Sequence, residues 1–180
     1  MHYITFDSSE PCVFESAGRF VSFNHPYHPR RILSSAVLLL GYSGSYPIAQ
    51  AERKYQLEPD TFMILFPGQE HYGYAPASDG QSHFWCHIQV PASHRILESD
   101  SLPETDHCIL PEFGHLQHTE KLCILFNQLI DAANSYMLGN GSYASLRALH
   151  GGLSYDSGLP WQTTCAPANA PGARKSAVSA

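Results

Sequence analysis

Phe62-Met63-Ile64-Leu65-Phe66-Pro67-Gly68, followed after a polar turn by His83-Phe84-Trp85-Cys86-His87-Ile88-Gln89-Val90, is the part of the chain that decides the fold. The first run is unbroken apolar sequence closed by Pro-Gly, the punctuation of a buried strand ending in a turn. The second run alternates. Phe84, Cys86, Ile88 and Val90 share one strand face, and His83, Trp85, His87 and Gln89 share the other. Both faces carry groups that avoid free water. The pattern predicts a barrel wall with one apolar side against a second layer and one amphipathic side lining a cavity. An ordinary β-sandwich core with hydrogen-bonded histidines is the competing arrangement.

On either side of this stretch, residues 14 to 91 read as six to eight short strands. Turn signals separate them at His25-Pro26, Ser43-Gly44, Glu58-Pro59, Pro67-Gly68, Ala75-Pro76 and Asp79-Gly80. Residues 1–13 read as a polar N-terminal arm interrupted by Pro11, and residues 92–117 as a connector with one short strand at Cys108-Ile109-Leu110. From Thr119 the period changes. Leu122, Leu125, Phe126, Leu129, Ile130, Ala133 and Met137 form the stripe of an amphipathic helix ending at Gly139-Asn140-Gly141. A second helix is predicted after Ser142, carrying Tyr143, Leu146 and Leu149. The predicted organisation is therefore an arm (1–13), a barrel with its connector (14–117), a helical region (118–155) and a tail (156–180). The tail is rich in Ala, Pro, Gly, Ser and Thr, lacks periodicity, and is expected to be disordered.

Composition narrows the function classes. A chain of 180 residues that is 43% hydrophobic can bury a full core. The first residues show no basic stretch leading into an apolar one, and no run approaches membrane-spanning length. Five scattered cysteines form no C-x-x-C pair, which fits a reducing compartment, so a cytoplasmic location is expected. A net charge of −6 with no Lys- or Arg-rich tract gives no electrostatic footprint for phosphates of nucleic acid.

A resemblance carries the reading further. His28-Pro29-Arg30-Arg31-Ile32-Leu33, Leu38-Leu39-Leu40 with Gly44, Tyr55-Gln56-Leu57, Ile64-Leu65-Phe66-Pro67 with His71, and Phe84-Trp85-Cys86-His87-Ile88 together resemble the N-terminal sensor domain of AraC-type transcriptional regulators. The likeness runs in register from about residue 20 to 150. It implies a mainly β fold with C-terminal helices: a cupin-like double-stranded β-helix, or jelly roll, followed by an antiparallel helix pair. It further implies a small effector, commonly a sugar, bound in the barrel, and a homodimer formed through the helices. In such regulators a separate C-terminal module with two helix-turn-helix units reads DNA. Two such units need roughly a hundred residues of helical sequence. The last thirty residues here are too few and of the wrong composition. The DNA-binding half is expected to be absent from this chain, as in a truncated or frame-altered product, so specific DNA binding by this polypeptide alone is not expected.

Candidate site residues follow from the resemblance and from sugar chemistry. Carbohydrates offer hydroxyls to polar groups and flat C–H faces to aromatic rings. Arg31 matches the arginine that reaches the effector, with Arg30 as the fallback if the register slips by one. His83 and Trp85 match the family's pocket pair, and His71, Tyr72 and Tyr74 lie on the adjoining turn and strand. Each has a structural alternative: a surface ion pair for Arg31, plain core for Trp85, a solvent-facing edge for His83, a strand-end cap for His71. The dimer interface expected from the helix comprises Leu122, Leu125, Phe126, Leu129, Ile130 and Ala133. The 11 histidines invite a metal, and Pro67-Gly68-Gln69-Glu70-His71 resembles the later ligand motif of metal-binding cupins. The earlier motif is missing, since Gly41 to Glu52 contains no histidine, and one donor position does not make a transition-metal site. No cofactor, metal or catalytic residue is therefore assigned. No nucleotide-binding or hydrolase motif is present, and no enzyme activity is expected. The rival class is a metal-dependent cupin isomerase or dioxygenase acting on a small polar substrate.

Overall fold

The computed structural model describes residues 1–101 and 107–134, which form twelve strands and one helix. In chain order these are β1 (His2–Phe6), β2 (Val13–Val21), β3 (Arg31–Ile32), β4 (Ala36–Ser43), β5 (Tyr46–Gln50), β6 (Arg53–Leu57), β7 (Thr61–Leu65), β8 (Glu70–Gly73), β9 (Ser82–Gln89), β10 (Arg95–Glu98), β11 (Cys108–Pro111), β12 (Phe113–His115) and α1 (Thr119–Asn134). The fold is mainly β, and every strand pairing is antiparallel. A five-stranded sheet in the order β12-β7-β4-β9-β2 shares a core with a four-stranded sheet in the order β3-β8-β5-β6. A third sheet, β10-β1-β11, packs with α1 against the five-stranded sheet's other side.

The central sheet is buried on both faces, and its sequence says why. Leu38, Leu40, Phe62, Ile64, Phe84 and Cys86 join Ile4, Phe6 and Leu110 of the third sheet and Leu122, Phe126 and Leu129 of α1 in one core. Val37, Leu39, Met63 and Leu65, pointing the opposite way, meet Tyr46, Ile48 and Leu57 of the four-stranded sheet in a second core. A strand covered on both sides needs apolar residues at every position, so Leu38-Leu39-Leu40 and Phe62–Phe66 read as unbroken runs. The turn after β7 forms as predicted, with Gly68 at φ +75°, a conformation glycine adopts at no steric cost.

The first six residues are not a polar arm. β1 is the central strand of its sheet, pairing Ile4 with both Ile96 and Leu110, and Tyr3, Ile4 and Phe6 are buried. Its partners lie so far along the chain that five residues of local pattern do not announce the pairing. The connector likewise holds β10 and β12 in addition to the predicted strand at Cys108–Pro111.

The antiparallel helix pair is not supported: α1 is the one helix among the described residues. The segment predicted after Ser142 lies outside them, as do Met137 and the tail. The apolar stripe of α1 is committed to its own barrel. Leu122, Phe126 and Leu129 are fully buried, and the Phe126 ring stacks on Phe84 with centroids 5.4 Å apart. Leu125 and Ile130 pack partly buried against the same core, and Ala133 is half-buried. Burial of a large apolar side chain is worth about 1.5–3 kcal/mol. Leu122, Phe126 and Leu129 of the expected dimer interface thus face inward, against the chain's own core. The outward apolar residue on this helix is Ile124, 58% exposed.

Candidate ligand cavity of the barrel

Between the two facing sheets lies a cavity of about 300 Å³ lined by Phe20, His28, Pro29, Arg31, Val37, Leu39, Tyr46, Leu65, His83, Trp85 and His87. Strand register assembles it. β9 pairs His83, Trp85 and His87 with Gly41, Leu39 and Val37 of β4 on one side. On the other side it pairs His83 and Trp85 with Phe20 and Gly18 of β2. One face of β9 therefore supplies three polar or aromatic wall residues, as its alternation predicted.

Two glycines make close approaches that the site requires. A Cβ on Gly18 would stand 2.5 Å from Trp85 Cζ2, so the indole crosses β2 only because position 18 has no side chain. A Cβ on Gly73 would stand 2.5 Å from the His28 backbone nitrogen. The same point is tied by Gly73 N–H donating to His28 C=O at 2.8 Å, which holds the 28–31 segment against β8.

The polar wall is a linked ring system. Tyr46 and His83 stack with centroids 4.8 Å apart, and Phe20 packs 5.2 Å from His83. His28 Nδ1 lies 3.2 Å from the Tyr46 hydroxyl, and Gln81 meets His83 Nδ1 at 2.9 Å. Arg31 Nε donates to His71 Nε2 at 3.3 Å. Burial is the main force on the titrating groups. It pushes His28 down to about 3, helped by the nearby His71, Arg31 and His83. It brings His83 to about 4, and His71 to about 4 with help from the Arg31 charge. His87 is lowered by burial and then by Arg31, and burial pushes Tyr46 up to about 12. At neutral pH each imidazole is neutral, with one donor and one acceptor nitrogen. Groups with both capacities match hydroxyls, which also do both.

Of the six sequence candidates, Arg31, His83 and Trp85 meet in this wall. His71 is buried behind it, with its ring centroid 5.2 Å from that of His28. Tyr72 and Tyr74 do not reach the cavity. Strand alternation turns Tyr72 away from His71, and its ring instead lies under the Arg30 guanidinium at 3.8 Å. Tyr74 lies 5.3 Å from Lys54 Nζ. Arg30, the fallback, pairs with Glu70 on this outer side. Sequence reasoning missed Phe20, His28, Tyr46, Val37, Leu39 and Leu65 as lining. His87 was legible, since it shares the face of His83 and Trp85. Among the described residues no three of His, Cys, Asp or Glu gather as a metal-binding group. None of the described helices is long and apolar enough to cross a membrane.

Comparison with known proteins gives the lineage. The uncharacterised helix-turn-helix-type transcriptional regulator YisR of Bacillus subtilis strain 168 is 31% identical over 135 residues, which is 66% of this chain and 46% of YisR. The chain thus corresponds to just under half the length of that relative. A Ralstonia eutropha JMP134 crystal structure assigned as a mannose-6-phosphate isomerase aligns at 15% identity and a TM-score of 0.35, covering 48% of this chain and 90% of that one. That likeness is too loose to bear on function. The family model for the AraC-like ligand-binding domain matches residues 14–153, and this chain belongs to that family, its barrel being an effector-sensing domain of cupin type.

Proposed function

We propose that the barrel cavity binds a small polyhydroxy effector, a sugar or a close relative, and that this chain serves as the sensing part of a cytoplasmic helix-turn-helix regulator. The observation that carries the reading is the convergence of Arg31, His83 and Trp85 on one 300 Å³ cavity. Trp85 and Phe20 offer flat faces for sugar C–H groups, the neutral imidazoles and Tyr46 meet hydroxyls, and Arg31 stands at the mouth. In this reading the domain binds its ligand without transforming it; among the described residues no His, Cys, Asp or Glu group gathers as a metal site. DNA contact would fall to a helix-turn-helix module of the kind the relative's name states, and not to this acidic domain.

A homodimer is part of the same proposal, with its contact moved from the buried stripe to the outer side of α1 around Ile124. Ile124 is the exposed large apolar side chain on this helix, and that exposure supports the shift.

A thermal-shift screen across monosaccharides, disaccharides and their acids tests the sensing role. A ligand at about 100 times its Kd adds about 2.7 kcal/mol to the folded state. Trp85→Ala is expected to lose most of that gain while keeping its far-UV circular dichroism. Unchanged affinity in the variant would remove Trp85 from the site.

A further inference from the structure

The cavity is electrically lopsided in a chain whose net charge is −6. Its lining holds one fixed cation, Arg31, and no aspartate or glutamate. Among the described residues, Arg31 has no carboxylate within salt-bridge distance, whereas its neighbour Arg30 is paired with Glu70. Glu15, the other acid felt by the wall through His87, already accepts a hydrogen bond from Gln89. The Nε of Arg31 is held by His71. That contact orients the guanidinium and leaves the Nη groups as the fork that grips carboxylates and phosphates. A second observation concerns His28, which is buried to 6% exposure in the same wall. Its Nδ1 faces Tyr46, but its Nε2 has no hydrogen-bond partner among the described residues. A buried ring nitrogen left unsatisfied carries a free-energy penalty that a ligand hydroxyl would remove.

Resting on the reading that the cavity takes a polyhydroxy effector, we propose that the effector is an anion. It would be a sugar acid or sugar phosphate of monosaccharide size whose charged group docks on Arg31 and whose hydroxyls reach His28 Nε2, His83, His87 and Tyr46. The size follows from the cavity, which lies at the small end of small-molecule sites. The charge follows from Arg31: a charge-assisted contact favours an anionic ligand over its neutral parent by about ten- to a hundred-fold. The chain's overall negative charge does not cancel this. Beyond roughly 8 Å at physiological salt it is screened, and a contact pair is screened much less.

The test is calorimetric titration of the intact 180-residue chain and of Arg31→Gln, at about 0.15 M salt. The probes are gluco-, galacto- and manno-configured hexoses, their uronic acids and their 6-phosphates, with acetate and inorganic phosphate alone. An acid or phosphate of one configuration is expected to bind ten-fold or more tighter than its neutral parent, and Arg31→Gln is expected to erase that difference. Whether uronate or 6-phosphate wins identifies the source of the charge. Because Arg31 is exposed on a two-residue strand, the variant is expected to fold, which its unliganded melting temperature checks. Arg31→Lys keeps the charge without the fork and is expected to fall between. Equal affinity for a hexose and its acid, or an acid preference that survives Arg31→Gln, would overturn the anion inference and leave the polyhydroxy reading standing. Acetate or inorganic phosphate binding as tightly as the sugar derivative would also overturn it, because the hydroxyl contacts would then contribute nothing. Silence across the whole panel would sink both.

Discussion

Glu112→Gln should destabilise this domain strongly, because Glu112 stands where three sheets meet and its buried carboxylate ties it to one of them. Glu112 sits between β11 and β12 and is 1% exposed. Its backbone N–H donates to His2 C=O of the third sheet at 2.8 Å, and its own C=O accepts from Ile64 N–H of the central sheet at 2.7 Å. Its carboxylate reaches the four-stranded sheet. Arg53 Nε and the Tyr55 hydroxyl donate to Oε2 at 2.8 Å each, and Arg53 Nη2 donates to Oε1 at 2.9 Å beside Gln50 Nε2. Gln50 in turn accepts from Phe66 N–H through Oε1 at 2.6 Å. Every partner of the carboxylate is a donor. Arg53 donates to both oxygens, so a glutamine must present its NH2 to an Arg53 N–H whichever way it flips, and it also removes the charge that balances Arg53. Breaking a buried pair by removing one charge costs about 3–5 kcal/mol. The Arg53 side chain is 25% exposed and can turn partly to water, which reduces the expected loss to about 2–4 kcal/mol. At about 4 °C per kcal/mol, Tm should fall by roughly 8–16 °C. Urea unfolding is the assay: the midpoint should drop with little change in slope. A cycle with Arg53→Gln should show the two losses to be strongly non-additive. A Glu112→Gln protein within about 0.5 kcal/mol of the parent would refute the argument that this carboxylate is held only by donors.

Acid should loosen the fold. Burial holds His28 at about 3 and His71 and His83 at about 4, against about 6.5 in the unfolded chain. Between those values the unfolded chain takes up protons that the folded chain refuses. Stability is therefore fullest above about pH 6.5 and declines as pH falls toward 4. Urea midpoints measured across that range should show the decline, His83→Gln should make it shallower, and a flat profile would contradict the buried, neutral imidazoles. On α1, Leu129→Glu places a charge in the core and should lower stability by several kcal/mol. Ile124→Glu, at the exposed position, should leave the unfolding midpoint within about 0.5 kcal/mol and convert a dimer to a monomer in light scattering. A monomeric parent chain at tens of micromolar would end the dimer proposal.

What could be read in the chain alone was whatever depends on local periodicity and turn chemistry. The alternation of His83 to Val90 fixed which face of β9 meets the helix and which meets the cavity, because the pleat leaves no choice once the strand exists. Pro67-Gly68 marked the end of β7, and the 3.6-residue period from Thr119 marked α1. The pairing of distant segments was not legible, and the site depends on it. Phe20 and Tyr46 meet His83 only because β2 runs beside β9 and β5 belongs to the sheet across the cavity. β1 enters the core through partners at Ile96 and Leu110. Tyr72 looked like a neighbour of His71 in sequence, yet parity on β8 sends it to the outer surface under Arg30. The stripe on α1 announced that something covers Phe126 and Leu129, but an apolar face carries no label for its partner. Close packing on Phe84 decided that the partner was the barrel of the same chain. Burial and charge balance are properties of the assembled cavity. Three depressed histidines, an arginine without a carboxylate and an unpartnered His28 nitrogen came into being only when strands from remote parts of the chain closed around the same 300 Å³.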